Sequence, residues 1–251
     1  MKAVLLAAGM ATRLRPLTDD LPKCLLPVAG KPILRRAMDT LLACGIDEFA
    51  LVTGFLEQKI RDAVGGWYPG LRVAWFTNPD YATTQNGPSL LAARPALDGR
   101  AFLMLDADIV FERGVIEAVL HAPWPNCLAL RRARDLGEEE IKVELDGRGR
   151  VRRIDKPVPV AVAAGESIGI ERFSAAASRV LFATLHERVV GRGLGNEWYE
   201  KSFEQMIERG EAEIHVVDVT ASYCAEIDTP EDLAVADRVV RERECGAEHA
   251  P

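Results

Sequence analysis

A chain of 251 residues with 48% hydrophobic and 27% charged content can fill the core of one large α/β domain or two small ones. Its net charge of -7 argues against general nucleic-acid binding, so a small anionic ligand would need a local basic site. Five scattered cysteines (Cys24, Cys44, Cys127, Cys224, Cys245) form no Cys-x-x-Cys pair, the N-terminal apolar run is too short for a signal peptide, and no run reaches membrane-spanning length; together these predict reduced thiols and a cytoplasmic protein.

Lys2–Ala7 is a short apolar run that predicts a buried strand. It breaks at Ala8-Gly9-Met10-Ala11-Thr12 and delivers Arg13, Arg15 and, past Pro22, Lys23. Small residues at such a turn let backbone N–H groups approach a phosphate, and the cations beyond it can neutralise a polyphosphate. An ordinary first strand followed by solvated arginines also fits this pattern. Neither the Gly-Lys-Ser/Thr of a P-loop nor Gly-x-Gly-x-x-Gly is present.

Pro32 opens a predicted helix whose Leu34, Ala37, Met38, Leu41 and Leu42 follow the 3.6-residue period up to Gly45. A strand at 48–53, a helix at 57–64 and a strand at 71–76 continue a rhythm that predicts a parallel sheet covered on both faces. Ligands of such sheets sit beyond the carboxyl ends of the strands. The polar loop 78–88, with Gln85, Asn86 and Gly87, leads into a helix at 89–94 and suits a base edge or phosphate, although an N-capped turn explains it too. The apolar strand 101–105 ends in Asp106-Ala107-Asp108. In extended geometry those carboxylates share a face, and hard oxygen ligands there suit Mg²⁺; an isolated Asp-x-Asp is also common in loops.

A helix at 112–121 and a strand at 126–131 precede a hairpin, 138–145 and 150–154, turning at Asp146-Gly147-Arg148-Gly149. Lys142 and Lys156 lie on it, each also compatible with a solvated surface charge. After a strand at 163–170 and a long helix at 174–190, Asn196 is placed to cap a helix carrying Glu197, Trp198 and Tyr199. Tyr199, Phe203, Met206 and Ile207 keep core spacing, whereas Trp198 lies off that stripe and could hold a quaternary ammonium. Two strands, 213–217 and 222–225, lead to Glu226-Ile227-Asp228. Thr229, Pro230, Glu231 and Asp232 make an ordinary helix start that does not require Asp228. That helix is expected to reach about residue 244, with 245–251 a frayed tail.

The run from Leu5 to Thr18, with Pro22-Lys23-Cys24-Leu25-Leu26-Pro27-Val28 and Gly30-Lys31-Pro32, resembles the signature of nucleotidyltransferases that activate phosphorylated small molecules. It departs at Ala11, where the family usually has glycine, and at Cys24, usually proline or alanine. Gly165-Glu166-Ser167-Ile168-Gly169 resembles the family's Gly-Glu-x-x-Gly segment, and the acidic and aromatic run at 197–204 is similar to the choline site of the phosphocholine cytidylyltransferase branch. The resemblance implies a Rossmann-like three-layer αβα fold, with a mostly parallel mixed sheet and a small β-rich acceptor-binding subregion. It implies one domain over 1–244: a nucleotide-binding part (1–125), an acceptor-binding part (126–228) and a C-terminal helix (229–244).

Residue by residue, the resemblance implies that Arg13 and Lys23 neutralise the triphosphate. Leu6, Ala8 and Gly9 would hold base and ribose through backbone groups, with Gln85, Gly87 and Asp106 also on the nucleotide. Asp108 and Asp228 would bind Mg²⁺. Lys142, Lys156, Glu166, Glu197, Trp198, Tyr199 and Glu226 would surround the acceptor. The expected reaction couples CTP to phosphocholine, giving CDP-choline and pyrophosphate. Alternatives are a sugar- or polyol-1-phosphate acceptor (inositol phosphate with CTP, a hexose phosphate with UTP or dTTP) or an aminoalkylphosphonate. A non-catalytic nucleotide-binding module is the rival from another class, and it predicts damage at Lys23, Asp108 or Asp228, all of which are present. Expected partners are small-molecule substrates, with no nucleic acid and no membrane span; a homodimer is left open.

Overall fold

The computed structural model describes residues 1–133 and 136–248. Strand β1 (Lys2–Ala7) leads to the short hairpin β2 (Pro27–Val28) and β3 (Lys31–Pro32), then α1 (Ile33–Ala43), β4 (Glu48–Thr53), α2 (Glu57–Trp67) and β5 (Val73–Thr77). Helices α3 (Asn86–Ala92) and α4 (Arg94–Leu97) precede β6 (Phe102–Asp106), β7 (Ile109–Phe111), α5 (Arg113–His121) and β8 (Cys127–Arg131). There follow β9 (Lys142–Leu145), β10 (Val151–Asp155), β11 (Ala163–Phe173), α6 (Ala175–His186), α7 (Glu200–Glu208), β12 (His215–Asp218), β13 (Cys224–Glu226) and α8 (Pro230–Glu248). Residues 249–251 of the expected tail lie outside the described residues.

The main sheet runs β10-β9-β11-β6-β1-β4-β5, with β8 along β11 and β12 beside β8. Its centre is parallel, β1 pairing β4 and β6, and β4 pairing β5. Strand β11 joins β6 antiparallel, so the β-rich segment extends the same sheet. Side chains alternate between two apolar layers because the strand period is two. Leu5, Leu51 and Leu105 pack with Met38 of α1, Ile60 of α2 and Ile116 of α5. On the other face Val4, Val52 and Met104 pack with Leu90 of α3, Phe182 of α6 and Phe203 of α7. Both layers exclude water, as the apolar run of β1 requires, and the carboxyl ends of β1 and β6 adjoin with Leu6 opposite Asp106.

Four local expectations change. Strand β6 includes Asp106, but the chain then turns, Ala107 donating its N–H to the Leu6 carbonyl at 3.0 Å, so Asp106 and Asp108 do not continue one strand face. Helix α3 starts at Asn86, inside the polar loop, and α7 starts only at Glu200, leaving Trp198 and Tyr199 ahead of it. Helix α6 ends at His186 and passes into a wider π turn, Glu187–Gly191.

Two glycines of β11 have a steric reason. A Cβ at Gly165 would lie 2.3 Å from the Arg131 carbonyl oxygen on β8. Gly169 has φ of +67°, and a Cβ there would lie 2.7 Å from Asp106 Oδ2. Gly169→Ala is therefore expected to cost about 1–3 kcal/mol of stability, measured as a lowered urea midpoint, because strain and a clash with Asp106 add.

Candidate active site

The loop after β1 is fixed from below. Leu14, Leu26 and Val28 are buried against Ile227 and against Ala236 and Val240 of α8. The Asp237 carboxylate accepts from Ala29 N–H at 2.7 Å, and Arg36 of α1 donates to Glu244 at 2.7 Å, tying α8 to the hairpin and α1. Above this base Ala11 adopts φ 47°, ψ 54°, the left-handed region, and its carbonyl accepts from Thr18 Oγ1 at 2.9 Å. That conformation accounts for the glycine usual at this position.

The second half of the site arrives through β13, which pairs antiparallel with β7 and sets Glu226 opposite Ile109. Ile227 N–H donates to the Asp108 carbonyl at 3.1 Å, placing Asp228 beside Asp108. A reciprocal cap then starts α8: Asp232 accepts from Thr229 N–H at 2.8 Å and Asp228 N–H at 3.1 Å, while Thr229 Oγ1 accepts from Asp232 N–H. Asp228 is held in place by the capped turn.

Lys23 Nζ stands 2.8 Å from Asp108 Oδ2 and 2.6 Å from Asp228 Oδ1, and Arg13 reaches Asp228 Oδ2 at 2.5 Å. Burial opposes ionisation of Asp228, but the Lys23 and Arg13 charges outweigh it and hold the carboxyl below its ordinary value. Burial likewise works against the Lys23 ammonium, and Asp108 and Asp228 overcome it, so its pKa rises. One oxygen each from Asp108, Glu226 and Asp228 lie within 4.8 Å of one another, and Asp108 Oδ1 is buried without a hydrogen-bond partner. Three hard oxygen donors with one unsatisfied atom fit a divalent cation.

Beside this cluster opens a pocket of about 640 Å³. Arg13 and Asp228 stand at it, and Asp106, Glu166, Trp198, Glu200 and Glu226 are among its walls. Asp106 accepts from Tyr199 Oη at 2.8 Å; desolvation, then Asp108 and Glu200, push its carboxyl well above the ordinary range. Burial raises Glu200 to about 8, its own backbone N–H opposing the rise and Glu226 adding to it.

The predicted residues divide. Arg13, Lys23, Asp108, Asp228 and Glu226 come together, while Lys156, Glu166 and Trp198 line the pocket. Tyr199, expected at the acceptor, is instead 0% exposed: its ring packs on Phe203 and its hydroxyl holds Asp106. Lys142 is 2% exposed and donates to the Gly137 and Glu140 carbonyls, because β9 turns it under that loop. Glu197 pairs with Arg188 of the π turn rather than lining the pocket. The carbonyls of Leu6 and Ala8 already accept from Ala107 and Phe55 N–H, whereas Gly9 faces open space. Gln85 donates its N–H to the Gly195 carbonyl at 3.0 Å, and a Cβ at Gly87 would lie 3.1 Å from the Glu197 carbonyl, so both pack against the 195–197 segment.

Glu200 and Glu171 were not singled out by sequence. Both carry a buried carboxylate oxygen without a partner, and Glu200 lies on the pocket wall. A signal existed: Glu200 sits at helical spacing from Phe203 and Ile207, an acid on an apolar stripe.

The geometry can be set beside known proteins. The chain is 32% identical over 250 residues to CMP-5'-(3-aminopropyl)phosphonate synthase of Streptomyces rubellomurinus, covering 94% of this chain and 38% of that protein. It is 27% identical over 236 residues to 2-aminoethylphosphonate cytidylyltransferase of Lancefieldella rimae, covering 94% and 91%. CTP:phosphocholine cytidylyltransferase of Streptococcus pneumoniae superposes with a TM-score of 0.76 at 21% identity, over 95% of this chain and 98% of that one, a likeness of fold. The MobA-like NTP transferase domain profile matches residues 3–143, which run from β1 through the Asp106–Asp108 turn into β9. With that span covering more than half of the sequence, the chain belongs to the MobA-like NTP transferase family.

Proposed function

We propose that the protein transfers the cytidylyl group of CTP, with Mg²⁺, to a small acceptor that is a phosphate or phosphonate oxyanion at one end and an ammonium at the other. One observation carries this reading: the Lys23–Asp108–Asp228–Arg13 constellation opens into a pocket whose wall has more carboxylic than cationic side chains. Lys23 and Arg13, with a divalent cation when bound, suit the oxyanion end of an aminoalkylphosphonate or of phosphocholine, the acidic wall suits the ammonium end, and the names of the aminoalkylphosphonate relatives support the reading. We take 1–244 as one nucleotidyltransferase domain.

In the proposed reaction an acceptor oxygen forms a bond to the α-phosphorus of CTP. The bond from that phosphorus to the α,β-bridging oxygen breaks, and pyrophosphate leaves with the electron pair. The acceptor oxygen is already anionic near neutral pH, so no general base is needed, and catalysis is positioning and charge neutralisation. Lys23 and Arg13 neutralise the triphosphate and the leaving pyrophosphate. Asp108 and Asp228, with Glu226 beside them, would hold Mg²⁺, which when bound adds positive charge against the phosphates.

The test crosses CTP, UTP, dTTP, ATP and GTP with 2-aminoethylphosphonate, phosphocholine, inositol 1-phosphate and hexose 1-phosphates, reading pyrophosphate release. Signal is expected only where CTP meets an amine-bearing acceptor. Signal confined to sugar or inositol phosphates would contradict the acceptor class. Silence from folded protein would favour a non-catalytic nucleotide-binding module.

A further inference from the structure

We infer that the acceptor's ammonium is primary and is read by Glu200, a residue of the pocket wall that has one buried carboxyl oxygen without a partner. The inference rests on the cytidylyl-transfer reading above and specifies its acceptor. Glu200 is the first residue of α7, 5% exposed, and its Oε2 is buried with no hydrogen bond. Glu200, Glu226 and Asp228 line the same pocket, which puts Glu200 on the wall of the space that opens beside the Asp108–Asp228 cluster. Glu171, 1% exposed and outside the pocket lining, also leaves its Oε2 unpartnered. Leaving a buried carboxyl oxygen unsatisfied is costly; an ammonium with three N–H donors satisfies the one on Glu200, and its charge favours the ionised carboxylate that burial otherwise disfavours.

The aromatic side chains on the described wall argue in the same direction. A quaternary ammonium has no N–H and is held chiefly by aromatic faces. The two aromatics here, Trp198 and Tyr223, each already hold a cation of the chain: Lys156 Nζ lies 4.9 Å from the Trp198 ring centroid, and Arg243 Cζ 5.4 Å from that of Tyr223. Both cations are anchored, Lys156 by Glu139 at 2.9 Å and Arg243 by Glu112. A trimethylated head would have to compete with them and would leave Glu200 Oε2 without a donor. The pocket selects by hydrogen bonding, not by an aromatic box.

The test is a series of 2-aminoethylphosphonates carrying none to three N-methyl groups, with CTP and Mg²⁺, in the wild type and in Glu200→Gln. In the wild type kcat/KM should fall at least about tenfold from the primary to the trimethylated amine, mainly through KM, the size of a lost charge-assisted hydrogen bond. Glu200→Gln should raise KM for the primary amine at least about tenfold, leave KM for CTP unchanged, and flatten the methylation series. The wild-type series stands whether or not the variant folds. A wild-type preference for the trimethylated acceptor, or a Glu200→Gln loss spread evenly over CTP and every acceptor, overturns the assignment and leaves cytidylyl transfer intact. Turnover confined to sugar 1-phosphates overturns the underlying reading as well.

Discussion

Asp108→Asn is expected to lower kcat by about 10²–10³-fold at saturating CTP and acceptor, with little change in the thermal unfolding midpoint. Asparagine keeps the shape but removes the charge and one of the two carboxylate oxygens, including the acceptor capacity that Asp108 Oδ1 leaves unsatisfied. Folding is spared because Lys23 retains Asp228 at 2.6 Å and the Ile227-to-Asp108 backbone bond does not involve the side chain. Calorimetric Mg²⁺ binding should weaken about 10–100-fold in parallel. Turnover close to wild type would remove Asp108 from the proposed metal site.

Lys23→Met is expected to lower kcat/KM for CTP by about 10³-fold, because the departing pyrophosphate loses the cation nearest both acids. Unlike Asp108→Asn, this variant should also lose stability, by about 1–3 kcal/mol, since Asp108 and Asp228 are left facing each other without the ammonium between them. The pH dependence separates the two effects. Asp228 is held below its ordinary value of 3.8, so its ionised form stabilises the wild type above that pH, and this contribution is lost as pH falls through the depressed value. Without Lys23 the depression shrinks, and the acid limb of urea unfolding should flatten. A full-strength acid limb in Lys23→Met would show that Arg13 alone sets the Asp228 carboxyl.

Much of this was legible in the sequence for identifiable reasons. Apolar runs at 2–7, 48–53 and 101–105 are buried on both faces and leave little choice of structure, and the observed strands follow them closely. Lys23, Asp108 and Asp228 were identified by motif likeness, and the fold brings them together across 205 residues of separation. What sequence could not settle was direction. Tyr199 and Trp198 are neighbours, but α7 begins after them, so the tyrosine turns into the core and the tryptophan to the pocket. Lys142 was expected at the acceptor by family likeness, and a lone lysine on a hairpin carries no mark of burial in the sequence. Glu200 shared the spacing of an apolar stripe, but an acid in a helix's first turn is ordinary, and only the packing of α7 shows that its Oε2 is buried without a partner.

The most direct measurement follows an oxygen label. With 2-aminoethylphosphonate carrying ¹⁸O on its phosphonate oxygens, CTP and Mg²⁺, mass spectrometry should find every label in the cytidylyl product and none in the pyrophosphate. That result requires the acceptor oxygen to attack the α-phosphorus, as the Lys23–Asp108–Asp228 arrangement implies. Release of orthophosphate with CDP, or label in the pyrophosphate, would contradict it.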